Sequence, residues 1–154
     1  MSQYLSIGGY KWEYTEDFLS DPNNNKQALN SILSKRENAS CGCFVQIKAH
    51  FPQKTHDYLT DLLPAVENIK VKREQFSPKQ KRLIEKLGED YAVKYISSEK
   101  LVTNFQPKEN YVIHYWELQY YVKLGMVVDK VLKVLSFDQS SWLEPYISLN
   151  SNLR

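Results

Sequence analysis

The sequence predicts an α+β fold: a mixed or antiparallel sheet interleaved with about four helices. Three observations carry this expectation. "CGCFVQIKAHF" sets Cys43, Val45, Ile47, Ala49 and Phe51 against Phe44, Gln46, Lys48 and His50, the period of a half-buried antiparallel strand. "FSPKQKRLIEKLG" is punctuated as a helix, with Ser77 at the N-cap, Pro78 at the first position and Gly88 after the end. Strand-like and helix-like segments alternate with no internal repeat, and 154 residues suffice for one domain, 1–154, with its own core.

Taken in order, "IGGYKWEY" from Ile7 to Tyr14 is extended, with Gly8 and Gly9 as a turn before it. "SDPNNN" is a loop by composition. Leu29, Ile32 and Leu33 fall at helical spacing and predict a surface helix from about Lys26 to Lys35. Pro52 ends the alternating strand. "NIKVKRE" is a second, weaker strand. In the punctuated helix Leu83, Ile84 and Leu87 make one apolar stripe, and "EKLVTNFQ" is a short extended segment. "YVIHYWELQYYVKLG" starts extended and becomes helical, with Leu118, Tyr121 and Val122 on one face. "MVVDKVLKVLSF" is rich in β-branched residues and reads as a strand. Trp142, Tyr146, Leu149 and Leu153 then fall on one helical stripe, which predicts that Trp142 and Tyr146 are core. Pro145 fits only the first turn of that helix.

Composition narrows the class. Twenty basic residues against 18 acidic leave a net charge of +2, so any basic face must be local. No apolar run is long enough to span a membrane, and the N-terminus lacks the pattern of a secretory signal. Cys41 and Cys43 are too close for an unstrained disulfide. The expected setting is an intracellular, reducing compartment: cytoplasmic, nuclear or mitochondrial.

The sequence offers little enzymatic chemistry. Cys41, Cys43, His50 and His56 do not have zinc-module spacing, and a core cysteine pair beside exposed histidines accounts for them. There is no G-x-S-x-G, no phosphate-binding glycine loop and no D-x-D. No catalytic residue, metal, cofactor or small-molecule substrate is expected.

Nucleic-acid binding has better support. Lys70, Lys72, Arg73, Lys79, Lys81, Arg82 and Lys86 lie within one stretch, and Lys130 and Lys133 form a second pair. Cations holding phosphates beside rings that stack on bases are the expected chemistry. The competing account is a solvated charged face, since Glu67, Glu74 and Glu85 interleave. The DNA-binding candidates are Lys130 and Lys133 first, then Lys70, Lys72 and Arg73, then Lys79 and Arg82.

The closing stretch "YVIHYWELQYYVKLGMVVDKVLKVLSFDQSSWLEPYISLNSNLR", Tyr111 to Arg154, resembles protein-primed family B DNA polymerases of Maverick/Polinton-type mobile elements, linear organellar plasmids and related viruses. Tyr111, Val112, His114, Leu118, Tyr121, Leu124 and Gly125 match the form Y-V-x-H-x-x-x-L-x-x-Y-x-x-L-G. Phe137, Gln139, Ser140, Trp142, Leu143, Pro145, Tyr146 and Ile147 match F-x-Q-S-x-W-L-x-P-Y-I. The likeness is looser upstream, in "MSQYLSIGGYKW", "IKAHFPQKTHDYLTDLLPAVENIKV" and "FSPKQKRLIEKLG". "KQALNSIL" mimics the nucleotide-gripping K-x₃-N-S-x-Y-G, but Leu33 and Ser34 replace its Tyr-Gly and it lies upstream of the motif's place.

The resemblance implies a palm segment between the first and second polymerase motifs, with the insertion that contacts terminal protein and DNA. The metal-binding aspartates of the family fall outside the matched segment, so no turnover is expected of this chain alone. Three readings follow. One is a polymerase-derived, non-catalytic module that binds DNA or a terminal-protein-like partner. Another is a fragment of an active polymerase in DNA replication. The last is a domesticated structural protein that self-associates, for instance as a homodimer.

Overall fold

The computed structural model describes residues 4–153, with Lys94 and Tyr95 as backbone alone. The elements run β1 (Leu5–Trp12), α1 (Glu16–Ser20), α2 (Pro22–Leu33), β2 (Cys41–His50), α3 (Gln53–Leu59) and β3 (Glu67–Ile69). A 3₁₀ turn (Arg73–Gln75) leads to α4 (Pro78–Leu87), α5 (Glu89–Ile96), β4 (Lys100–Val102), β5 (Lys108–His114), α6 (Tyr115–Lys123), β6 (Val127–Ser140) and α7 (Glu144–Asn152). The class is α+β, with seven helices among the described residues rather than about four. The additional ones, α1, α3 and α5, are five, seven and eight residues long, too short to declare a helical period.

The chain forms two compact units, Met1–Asp57 with Gln106–Arg154, and Tyr58–Phe105. The first holds a four-stranded antiparallel sheet in the order β1-β6-β2-β5. Cys43, Val45, Ile47 and Ala49 of β2 are buried, as the alternation requires, together with Ile113, Val131 and Val134. Ala28 and Ile32 of α2 and Leu118 and Tyr121 of α6 are buried against them. Burying each Val, Ile or Leu contributes about 1.5–3 kcal/mol over leaving it exposed.

Polar side chains close the gaps that the ladder leaves. Gln119 Nε2 donates to the carbonyls of Ile32 at 3.0 Å and Lys35 at 2.8 Å, tying α6 to the end of α2. Pairing between β1 and β6 extends to Trp12 opposite Leu135. Further along β6, Asn25 stands in for the missing strand. Its Oδ1 accepts from the Val131 amide at 3.0 Å, and its Nδ2 donates to the Val131 carbonyl at 2.8 Å.

Two segments differ from the sequence-based expectation for local reasons. The helix begins at Pro22, because the Asp21 carboxylate accepts from the amides of Asn23 at 2.9 Å and Asn24 at 3.0 Å. The Asp-Pro cap thus overrides the loop composition. Gly8 and Gly9 lie inside β1, where the register shifts, with φ of 125° and 68°. They bulge the strand rather than precede it.

The second unit pairs β3 with β4, Glu67 opposite Val102 and Ile69 opposite Lys100. "NIKVKRE" is therefore strand only at its start. From Lys72 the backbone turns, and the Lys72 amide donates to Gln75 Oε1 at 2.7 Å. Phe76, Ile84 and Ala92 form a small core with Val71, Tyr91 and Ile96 against it. The α4 cap is as the sequence requires: Ser77 Oγ accepts from the Gln80 amide at 3.2 Å, and the Ser77 amide donates to Gln80 Oε1 at 2.9 Å.

Candidate nucleic-acid interface

Lys130 and Lys133 are three residues apart, so strict alternation would place them on opposite faces of β6. The register prevents this. Lys133 lies opposite Gln46 but Val131 lies opposite Ile47, so Leu132 is an extra residue. Lys130 then lies opposite Lys48. Directly opposed residues share a face. Both lysines therefore stand with Gln46 and Lys48 on the side of β2 away from Val45 and Ile47. Lys48 belongs to this group although the basic stretches did not point to it; its signal was its place on the polar side of the β2 alternation.

These cations have neighbours. Lys48 Nζ is 2.7 Å from Glu109 Oε2, and Lys133 Nζ is 3.4 Å from Glu16 Oε1. His50 Nδ1 is 2.9 Å from Asp129 Oδ2. All of these pairs are solvent-exposed, where an ion pair contributes about 0–1 kcal/mol. A phosphate can therefore displace the carboxylates at little cost. Glu16, Ser20, Gln46, Asn110, Lys130 and Lys133 line a hollow of about 390 Å³. Gln46 Nε2 donates to Asn110 Oδ1 at 3.3 Å within it.

The same face carries rings. Trp12 is opposite Leu135, Leu135 opposite Phe44, and Phe44 opposite His114, so one row crosses all four strands. Phe137 lies opposite Gly42. A Cβ on Gly42 would come within 2.5 Å of the Phe137 ring, so the glycine makes room for it. Phe137 is buried, with ring centres of Phe44 at 5.1 Å, His114 at 5.9 Å and Tyr10 at 6.0 Å. The outer rings are open: Trp12 is 62% exposed, Tyr10 59% and Phe44 37%. Burial holds the His114 imidazole below its ordinary pKa, and its Nδ1 accepts from the Trp116 amide at 3.4 Å as the N-cap of α6. No local pattern could announce this row, because it is assembled from strands far apart in sequence.

The remaining predicted cations lie in the second unit. Lys70, Lys72, Arg73, Lys79 and Arg82 are all exposed. Lys79 and Arg82 are neighbours at i, i+3 on α4. Arg73 is ion-paired with Glu89.

The closing stripe corrects an expectation. Helix α7 forms, with Pro145 in its first turn, but Trp142 is 57% exposed and Tyr146 66%, with Leu149 and Leu153 also exposed. They are not core. Trp142 precedes the helix start at Glu144, and α7 has no buried residue. Spacing placed the apolar residues on one face without showing what covers that face.

Both cysteines are free thiols, and burial pushes the Cys43 thiol up to about 11. Among the described residues no three His, Cys, Asp or Glu side chains converge to hold a metal ion. Among them, too, no helix is long and apolar enough to cross a membrane. No protein-family model, curated protein or solved structure matches the chain.

Proposed function

We propose that this chain is a non-catalytic module, related to the palm of protein-primed type B DNA polymerases, that binds DNA on the outer face of its four-stranded sheet. The observation that carries the reading is the bulge at Leu132, which sets Lys130 and Lys133 on one face with Lys48. The motif residues from Tyr111 to Ile147 supply the polymerase connection. The free thiols favour a reducing compartment.

Fluorescence anisotropy with duplex and primer-template DNA across a salt series tests the reading. Replacing Lys130 and Lys133 together by Glu lowers affinity at least tenfold and flattens the salt dependence. Unchanged affinity in that variant, or no binding by the natural chain, overturns it.

The exposed stripe Trp142, Tyr146, Leu149 and Leu153 favours a second reading, a self-associating protein.

A further inference from the structure

We infer that the ligand of the sheet face is single-stranded nucleic acid, with bases stacked on Trp12, Tyr10 and Phe44 and phosphates at Lys133, Lys130 and Lys48. This rests on the nucleic-acid reading above and specifies its substrate class.

Two features point to a single strand. The first is charge. Glu109, Glu16 and Asp129 sit beside Lys48, Lys133 and His50, so the face is close to neutral. A duplex hides its bases and offers such a face only phosphates, which need a strongly cationic surface. The second is the arrangement of the rings. A lone exposed aromatic is ordinary, but here Tyr10 and Phe44 are open beside the buried Phe137 ring, and Trp12 is open in the same cross-strand row as Phe44. The Trp12–Leu135–Phe44–His114 row is followed by Lys133 and Gln46, and then by Lys130 and Lys48. Two residues along a strand span about 6.7 Å. Bases lying on the ring row thus keep their phosphates beside the lysine rows. Single strands present both groups at once, and their stacking tolerates any base. The amides of Gln46 and Asn110 lie among the lysines and can meet base edges.

The test compares a fluorescently labelled oligothymidylate, an oligouridylate and a duplex, each titrated with the intact chain. Either single strand is expected to bind at least tenfold tighter than the duplex. With two or three phosphates engaged, the slope of log affinity on log salt should be shallow, about −1.4 to −2. Trp12→Ala and Phe44→Ala should each weaken single-strand binding about tenfold, the scale of one lost stack. Trp12→Phe should restore most of it. Circular dichroism confirms that each variant is folded, which the exposure of Trp12 favours. Duplex binding as tight as single-strand binding, with Trp12→Ala unaffected, overturns this inference and leaves the DNA-binding reading standing. Binding of neither form overturns both.

Discussion

Cys43 illustrates how one residue is set by its neighbours. It faces the core beside Val45, and its thiol is pushed up to about 11 chiefly by burial, with the Lys35 charge opposing. The thiolate is the reactive form, so Cys43 should be inert while the chain is folded. The sign of the linkage follows. An unfolded thiol ionises near pH 9, whereas the folded one keeps its proton until about pH 11. Between those values the folded state binds more protons, so stability falls as pH rises. Urea unfolding should show this loss between about pH 9 and 11, reduced in Cys43→Ala relative to its own value at pH 8. Iodoacetamide should label Cys41 first in the native chain and both cysteines in urea. Rapid labelling of native Cys43 would contradict its burial.

Among the elements, β6 decides the most, through its extra residues. Leu132 restores the alternation, so that Val131 and Val134 both reach the core while Lys130 and Lys133 both leave it. Deleting Leu132 should convert the bulge into a regular ladder and keep both lysines outward. A deletion of Leu135, in a continuously paired stretch, should instead throw Lys133 onto the core face. Urea titration followed by circular dichroism checks this: the first variant unfolds cooperatively and the second does not. The sequence made β2, α4 and the β5-to-α6 transition legible, because period and caps are local signals. Leu132 was not legible as a bulge, since a bulge is defined by the partner strand. For the same reason Lys130 and Lys133 could be nominated from sequence, but their union with Lys48 and with the Trp12–Phe44 row could not.

For the whole molecule, the near-balance of charge, +2 overall, makes stacking and apolar contact more telling than long-range attraction. It also leaves little repulsion to keep copies apart. If the α7 stripe mediates self-association, light scattering should report a mass that rises with concentration, and Tyr146→Glu with Leu149→Glu should return it to that of a monomer. A constant monomer mass in the natural chain removes that reading. The position of β6 in the chain has a different kind of consequence. It is the strand that joins β1 to β2, yet it is the last of the sheet's four strands to be made, and Leu5 waits for Ser140. During synthesis β1 and β2 have no common partner until residues 127–140 emerge. Pairings of such long sequence separation form slowly, and the backbone edge of β2 that β6 fills stays unpaired meanwhile. Contacts within 58–105 close shorter loops and do not wait for β6.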